Sequence, residues 1–431
     1  MRVKACAYEV ENQMMEHATQ PTAQAVSVLG VTASRPARGR RGLSLTVALV
    51  AAFFLLPTSG VEARQFANDD FGYYVDIPEG WQMMDVSDMS HIAFSAPGGQ
   101  AVLQIIAFPA DRFEAAGDIA NYVEEQFQTR GEGTAFRFSG RESVFAELSF
   151  DTQNFTVNGY HVMVNGENAD YVMQSFAVED VFAQYQDMLL SALDSVSLDD
   201  AGYLHPGPVS QYQYPFPAPT PQPERAEIGG EVITYTSDPN EREATQNLIE
   251  REARILSAYA GQAAAAGGRW SGGTEAWVEA WRRFYRMIYR DNFFRLSSIA
   301  RSVKQHFDEQ GVGEDEIPAA LLSWLQGFEY TRTGSLSDLL SPVTCFLERA
   351  GDCDSLGLAW VIMLQHMGYD AILMISSEYG HALGGVDVAG EGARFEFEGT
   401  QYLLAEFTEE VDLGMIPRSM ADPSKWIPVR L

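Results

Sequence analysis

The sequence predicts an α+β protein of two domains. The first is an N-terminal domain built on an antiparallel sheet, and the second is a C-terminal domain in which helices precede another antiparallel sheet. Three observations lead to this prediction. Short strand-like segments separated by Pro, Gly and Asn-Gly turns fill residues 66–200. Seven prolines crowd residues 205–225, and residues 226–431 begin with helical periodicity and end with strand-like segments.

Composition places the chain among globular proteins. Hydrophobic residues make up 46% of its 431 residues and charged residues 20%, which is enough for a substantial core. The net charge is −30, and residues 1–63 are basic on balance while the rest of the chain is acidic. An acidic surface repels phosphates, so we expect neither nucleic acid nor an anionic membrane surface as a partner. The charge is compatible with a cationic partner but does not imply one.

Residues 1–63 have the pattern of an export signal. A basic stretch at 35–41 precedes an apolar run at 43–57, and Val61-Glu62-Ala63 then supplies the small residues of a cleavage site. The apolar run is shorter than the roughly 20 residues that a membrane-spanning helix needs. We therefore expect an exported bacterial protein, periplasmic or secreted, that is cleaved near Ala63 and has no other membrane contact.

Some details of this segment leave alternatives open. The basic region is long, so the protein starts either at Met1 with a long leader or later, at Met14 or Met15. The Arg40-Arg41 pair is typical of the twin-arginine route. An uncleaved anchor is the alternative to cleavage. A lipoprotein anchor is not expected, because no cysteine follows the apolar run.

The predicted N-terminal domain has strands joined by turns and two helices, at 118–130 and 180–196. Its opening, Y-x-V-D-I-P-E-G-W at 73–81, and its closing helix after a strand resemble the photosystem-protein-P/Mog1-like group (PsbP/Mog1-like). The resemblance implies a binding or docking domain without catalytic residues. His91 and His161 each stand alone in a strand-like segment, which is typical of solvated or core histidines rather than of ligands.

The proline-rich segment 201–225 is predicted to be a semi-rigid, polyproline-like linker and marks the domain boundary. The C-terminal domain follows, with a helical lead-in at 241–333 and a catalytic core at 334–431. Helices are expected at 241–261, at 274–307 with a bend near Asp291-Asn292, and at 316–333 from Pro318. An aromatic stripe in the second of these has core spacing: Trp277, Trp281, Phe284, Tyr285 and Ile288.

The stretch GDCDS at 351–355 opens an apolar helix. Asp352 is a good N-cap residue and Cys353 falls in the first turn, on the apolar face. A helix N-terminus stabilises a thiolate, whereas the flanking Asp352 and Asp354 oppose it. A nucleophilic role for Cys353 therefore requires a nearby histidine.

Two later residues could complete such a site. His381 stands at the start of a strand in EYGHALGGVDV, and Glu406 falls inside the apolar second strand of a hairpin at 393–410. A buried carboxylate needs a partner, and a histidine ring N–H is a suitable one. Cysteine, histidine and carboxylate in this order are typical of a nucleophile, its base and the group that orients the base. Asp387 is the alternative orienter.

These motifs, Gly351-Asp352-Cys353-Asp354-Ser355, Gly380-His381-Ala382 and Glu406-Phe407-Thr408, resemble the transglutaminase-like superfamily of papain-fold cysteine enzymes. The resemblance covers roughly residues 280–431. It implies that Cys353 is the nucleophile, His381 the general base and acid, and Glu406 the orienter. It also implies an oxyanion hole made by the backbone N–H of Cys353 and a side chain from Trp324 or Gln326.

The sequence departs from the family pattern at two places. Glu406 stands where aspartate is usual, and Leu383 with two glycines follows His381 where an aromatic residue is common. The second departure puts the wall of the substrate site in question. Cys345 is expected to pack as a small apolar residue. A disulfide between Cys345 and Cys353 would abolish the nucleophile.

The expected function is acyl transfer to an amine, or hydrolysis, at a peptide, isopeptide or side-chain amide bond through a thioester on Cys353. The substrate would be a peptide or protein, and no cofactor is expected. No metal is expected either, because His366 and His381 flank no cluster with ligand spacing. The alternative is a catalytically silent binding or scaffold protein of the cell envelope that uses both domains for recognition.

Overall fold

A computed structural model describes residues 65–84, 88–129, 131–152, 155–198, 201–265 and 275–431. The predicted export signal lies outside the described residues, and so does Cys6. Within the described ranges, no helix has the length and apolar character to cross a membrane. The molecule is a mixed α+β protein with several separate sheets, as predicted.

The N-terminal half is built on a seven-stranded antiparallel sheet of order β3-β4-β5-β9-β8-β7-β6. Helix α1 covers one face and helix α2 the other, so the central strands are buried on both sides. A small sheet of order β1-β2-β10 lies beside it. The elements are β1 Gln65–Asn68, β2 Tyr73–Asp76, β3 Gln82–Met83, β4 His91–Ser95, β5 Ala101–Pro109, α1 Ala116–Phe127, β6 Thr134–Phe138, β7 Arg141–Asp151, β8 Thr156–Val164, β9 Ala169–Val178, α2 Glu179–Asp194 and β10 Ser197–Leu198.

The proline-rich segment 201–225 differs from the extended spacer that its composition predicts. It contains a 3₁₀ turn at Ala201–Leu204 and helix α3 at Pro208–Gln213, where the proline occupies the first turn that tolerates it. Tyr212 of α3 stacks on Phe145 with ring centroids 4.3 Å apart. Packing against the sheet therefore folds a segment whose composition alone indicates an open chain, and the domain boundaries stay a prediction.

The C-terminal half begins with a hairpin and a run of helices. The predicted bend near Asp291-Asn292 is confirmed, because α5 ends at Asn292 and a 3₁₀ turn leads into α6. The last lead-in helix stops at Gln326, earlier than predicted, and the chain then forms a short parallel bridge. The elements are β11 Gln222–Ile228, β12 Glu231–Ser237, α4 Glu241–Ala265, α5 Glu275–Asn292, α6 Ser297–Glu309, α7 Ile317–Gln326, β13 Glu329–Tyr330, α8 Pro342–Glu348 and β14 Ala350–Gly351.

A five-stranded antiparallel sheet of order β17-β18-β16-β15-β19 completes the C-terminal half. Helix α9 packs on it and is buried from Cys353 to Leu364, so it lies at the centre of the largest core. The predicted aromatic stripe of α5 belongs to the same core. The remaining elements are α9 Cys353–His366, β15 Ala371–Ser376, β16 His381–Val386, β17 Arg394–Phe397, β18 Thr400–Ala405 and β19 Ile427–Val429.

Candidate active site at the start of the central helix

The connections of the C-terminal sheet bring three chain positions to one end of it. Helix α9 ends at His366, and a turn through Gly368, with φ of +91°, reverses the chain into β15. Strand β16 is antiparallel to β15 and therefore runs in the direction of α9, whereas β18 runs back against β16. The start of α9, the start of β16 and the end of β18 consequently lie at the same end of the sheet. These three positions carry Cys353, His381 and Glu406.

The start of α9 is capped as predicted. Asp352 accepts hydrogen bonds from the backbone N–H of Ser355 at 2.9 Å and from its hydroxyl at 2.6 Å. Gly351 allows the close approach of the preceding turn, because a Cβ atom there would stand 3.1 Å from Ser355 and 3.2 Å from the sulfur of Cys345. Cys353 is thus the first residue of a helix whose start is tightly fixed.

The thiol of Cys353 is fully buried and points to a neighbouring carboxylate. Its Sγ donates to Oδ2 of Asp354 at 3.4 Å. The other oxygen of Asp354 accepts a hydrogen bond of 2.6 Å from the hydroxyl of Tyr285 on α5. The Cys353 thiol is therefore placed as a hydrogen-bond donor to an acidic side chain.

His381 and Glu406 are hydrogen-bonded to each other. Nε2 of His381 lies 2.8 Å from Oε2 of Glu406, and the two side chains are buried. Oε1 of Glu406 accepts from the backbone N–H of Thr408 at 2.8 Å and from its hydroxyl at 2.7 Å. Burial works to raise the pKa of Glu406, but the hydrogen bonds from His381 and Thr408 and the charge of His381 outweigh it, and the pKa lies below its ordinary value.

This pairing decides the tautomer of the ring. An ionised carboxylate only accepts hydrogen bonds, so Nε2 of His381 carries a hydrogen toward Glu406. In the neutral ring Nδ1 is then the basic nitrogen. Glu406 thus fixes one nitrogen of the ring by a hydrogen bond, the arrangement that a nucleophile–base pair requires.

Glu406 does not lie inside the second hairpin strand, where the sequence pattern placed it. Strand β18 ends at Ala405, and Glu406 is the next residue. Ala405 pairs with Gly384, so continuing this register sets Thr408 opposite His381 and Glu406 diagonal to it, a spacing that long side chains bridge. Asp387 follows the far end of β16, about 20 Å from His381 along the strand, and cannot orient it.

Gly384, three residues after His381, allows the close packing of α9 on the sheet. A Cβ atom at Gly384 would stand 2.7 Å from the ring of Trp360 and 2.9 Å from that of Phe407. The side chain of Leu383 is buried on the opposite face of the sheet. Gly384 therefore forms a contact between sheet and helix, whereas a Cβ atom at Gly385 would meet Tyr402 and Ile372 on the other face.

Both oxyanion candidates have their donors engaged elsewhere. Nε1 of Trp324 donates to the carbonyl oxygen of Glu227 at 2.9 Å. Nε2 of Gln326 donates to the carbonyl oxygens of Glu406 and Val411, each at 2.9 Å. Gln326 thus holds the backbone that carries Glu406, a role the sequence did not reveal. An oxyanion role for either side chain stays a prediction.

Cys345 is buried in α8, and the two cysteines within the described ranges are thiols that form no disulfide. Burial, and next the charge of Asp352, raise the pKa of Cys345 well above its ordinary value. Cys345 is therefore a packed, unreactive thiol. Among the described residues, no group of three His, Cys, Asp or Glu side chains is placed to hold a metal ion.

Comparison with known proteins yields weak likenesses only. No family model and no curated protein matches the sequence. The solution structure of cyanobacterial PsbP (CyanoP) from Synechocystis sp. PCC 6803 is 15% identical, with a TM-score of 0.27, and the match covers 33% of this chain and 97% of that one. LpqN of Mycobacterium tuberculosis, described as involved in cell envelope biogenesis, is 13% identical over 33% of this chain and 87% of that one, with a TM-score of 0.21.

A Bacteroides thetaiotaomicron protein is 10% identical, with a TM-score of 0.25, over 79% of this chain and 89% of that chain. The likeness to CyanoP agrees with the resemblance of the N-terminal half to PsbP-like domains. Scores this low support no step beyond that agreement. The assignment of the C-terminal half to the transglutaminase-like superfamily stays a prediction.

Proposed function

We propose that the protein is a transglutaminase-like cysteine enzyme that transfers an acyl group from an amide through a thioester on Cys353. The observation that carries the proposal is the buried hydrogen bond of 2.8 Å between His381 and Glu406, at the same end of the sheet as the start of α9. A core histidine with a purely structural role rarely has an ionised carboxylate fixed on one ring nitrogen at the end of a sheet where a cysteine opens a helix.

The proposed reaction uses His381 twice. Nδ1 of His381 takes the proton of the Cys353 thiol, and the thiolate attacks the amide carbonyl carbon to give a tetrahedral intermediate. The imidazolium returns its proton to the nitrogen of the leaving amine, the C–N bond breaks, and a thioester remains. Water or a second amine then attacks the thioester, with His381 again as base, and Cys353 is released as the thiol.

Glu406 and the start of α9 assist this reaction. Glu406 stabilises the imidazolium and fixes the ring. The backbone N–H of Cys353 supports the oxyanion, as the family resemblance implies. The substrate class is a peptide or protein amide. We place the enzyme outside the cytoplasm because of the export pattern at 1–63, which a fractionation of the producing cell would test.

The burial of the site supports a second candidate, a silent binding or scaffold protein. Cys353 is 0% exposed, His381 3% and Glu406 1%. The thiol also points to Asp354. An enzyme with this structure must open a path to the sulfur, whereas a binding protein needs no such change.

Labelling with an electrophilic thiol probe separates the two candidates. We expect Cys353 to react faster at neutral pH than a model thiol, and His381→Ala to abolish the advantage. Cys353→Ala identifies the labelled residue. Cys345→Ala is the matched control, because it removes the other buried thiol and should leave the labelling unchanged. Equal labelling rates for Cys353 and a model thiol, with no effect of His381→Ala, would refute the proposal that the protein is an enzyme.

A second measurement addresses the substrate. Peptide and protein mixtures are incubated with wild type and with His381→Ala, and acyl adducts on the Cys353 peptide are identified by mass spectrometry. Adducts that appear only with wild type would identify the acyl donor. The mass added to the Cys353 peptide also distinguishes a transferred acyl group from adventitious oxidation of the thiol.

A further inference from the structure

Helix α5 is linked to Cys353 through the hydroxyl of Tyr285 and the carboxylate of Asp354. Tyr285 donates to Oδ1 of Asp354 at 2.6 Å, and the thiol of Cys353 donates to Oδ2 of the same carboxylate at 3.4 Å. Tyr285 is 3% exposed and Asp354 8%. Because both donors lie on one buried carboxylate, the position of Tyr285 fixes the direction of the thiol.

The opposite face of α5 is fixed by the N-terminal half. Arg283, Arg286 and Arg290 follow each other at helical spacing, roughly 100–160° around the helix from Tyr285. The guanidinium of Arg286 donates to both carboxylate oxygens of Asp76, at 2.7 and 3.0 Å. Arg283 donates to the backbone oxygen of Asp76 at 3.0 Å.

We call the contacts of Arg283, Arg286 and Arg290 with the N-terminal half the clamp, and Arg290 extends it by one turn. It donates to the carbonyl oxygens of His205, Asp194 and Val196, at 2.8, 2.9 and 2.7 Å. Bonds of this kind are directional, and four of the acceptors are the backbone oxygens of Asp76, Asp194, Val196 and His205, so the arginines tie α5 to the backbone of that half and not only to its side chains. Helix α5 is therefore fixed to the N-terminal half on one face and to the nucleophile on the other.

We propose that Tyr285 is a positioning residue that acts on Cys353 through Asp354, and that the N-terminal half sets its position by clamping the arginine face of α5. The importance of this for catalysis rests on the proposed function, whereas the link between Tyr285 and the thiol does not. The N-terminal half then has a task in this chain that its fold alone does not indicate. A ligand that shifts it would act on Cys353.

The ionisation of the thiol reports on this link. Asp354 accepts hydrogen bonds from the Cys353 thiol and from Tyr285 of α5, Asp352 precedes Cys353 in the chain, and His381 of β16 lies at the same end of the sheet. Asp354 carries the charge closest to the sulfur, and like charges disfavour a second anion. Burial, and next the charge of Asp354, also raise the pKa of Asp352 to about 7. Arg332 is the nearby cation that lowers the pKa of Asp352.

The test is a double-mutant cycle read by the far-ultraviolet absorbance of the Cys353 thiolate against pH, with Cys353→Ser as the blank. We expect Asp354→Asn to lower the midpoint pH by about one, because it removes the neighbouring charge. Tyr285→Phe should lower it by less. Without its donor the Asp354 carboxylate is held less firmly against the thiol, so the hydrogen bond that favours the protonated thiol weakens. Tyr285→Phe should change nothing further in the Asp354→Asn background.

Tyr289→Phe is the matched control. Tyr289 lies one turn further along α5, is buried, and donates its hydroxyl to Gln365 rather than to Asp354. A shift of the midpoint by Tyr289→Phe as large as that by Tyr285→Phe, or one that persists in the Asp354→Asn background, would overturn the proposal. Should Tyr285→Phe fail to fold, Asp354→Asn alone still tests the link to the thiol.

The clamp is tested in the same titration. Arg286→Met removes the paired bonds to Asp76 and should reproduce part of the Tyr285→Phe shift. Arg254→Met is its control, because Arg254 makes a similar paired contact to Asp187, at 2.8 Å twice, but from α4 rather than α5. Equal shifts of the midpoint pH in Arg286→Met and Arg254→Met would refute the proposal that the clamp sets the position of Tyr285. None of these readings needs turnover, so an inactive protein would leave this test intact.

Discussion

Replacing Glu406 by glutamine should stop the chemistry while leaving the fold in place. The substitution keeps the shape of the side chain, and its oxygen can still accept from Thr408. Its amide, however, would donate to Nε2 of His381, where the carboxylate accepts at 2.8 Å. The ring hydrogen would then move to Nδ1, and the nitrogen that should take the Cys353 proton would no longer be basic.

The size of the effect follows from the pairing. In a nucleophile–histidine–carboxylate set, exchange of the carboxylate for an amide lowers kcat by about 10⁴-fold, which corresponds to about 5 kcal/mol. The cost in stability is smaller. A hydrogen bond to a charged group contributes about 1.5–3 kcal/mol and a neutral one about 0.5–1.5 kcal/mol, so unfolding should become easier by about 1–2 kcal/mol.

Three measurements check this prediction. The rate of Cys353 labelling in Glu406→Gln should fall to that of His381→Ala. Turnover of a substrate identified from its acyl adduct on Cys353 should fall in parallel. The control is Glu396→Gln in β17, the same change at an exposed glutamate that accepts from Gln401 at 2.9 Å. Turnover within tenfold of wild type would refute the tautomer argument.

The acid limb of the stability curve gives the third measurement. The pKa of Glu406 is lowered in the folded state, so its contribution is present above the unfolded value of about 4.3 and is lost as pH falls through the folded value. Wild type should therefore lose stability relative to Glu406→Gln below about pH 4. Parallel curves for the two proteins in acid would show that the charge of Glu406 is not stabilised by folding.

Three further predictions concern the scaffold. Gly384→Ala should lower stability by about 1–3 kcal/mol in urea unfolding, since its Cβ atom would stand 2.7 Å from the ring of Trp360, and an unchanged midpoint would contradict the packing. Cys345→Ala should cost about 1–2 kcal/mol in thermal unfolding with labelling of Cys353 unchanged, and slower labelling would contradict its inert role. Asp194→Ala removes the 2.8 Å partner of the buried Arg251 and leaves Glu252, at 3.0 Å, as its remaining partner, so it should cost about 1–3 kcal/mol, and an unchanged stability would contradict the pairing.

Local pattern and chain order were enough to predict much of the C-terminal site. Asp352 was recognisable as a cap because capping is a contact between residues three apart. The contact between His381 and Glu406 follows from the order of a helix and antiparallel strands, which the turns reveal. The second hairpin strand was predicted to continue past Glu406 but ends at Ala405, because a strand end depends on pairing with its neighbour and not on its own sequence.

Contacts distant in sequence account for what was missed. Tyr285 has the spacing of a core residue, and nothing in α5 indicates that its hydroxyl meets Asp354. The folding of 201–225 depends on Phe145, a residue far away in the chain. One signal was available: Arg283, Arg286 and Arg290 form a helical row opposite an aromatic stripe in an otherwise acidic protein. Such a row is typical of a helix buried between two acidic or carbonyl-rich surfaces.

Two groups of the candidate site, His381 and Asp354, have opposite effects on the thiol proton of Cys353. Nδ1 of His381 can take the thiol proton and leave a thiolate that the start of α9 stabilises. Asp354 instead accepts a hydrogen bond from the thiol and disfavours the thiolate by its charge. Since Tyr285 holds Asp354, and the N-terminal half holds the helix that carries Tyr285, the competition is decided by the seam between the two halves as much as by the three site residues.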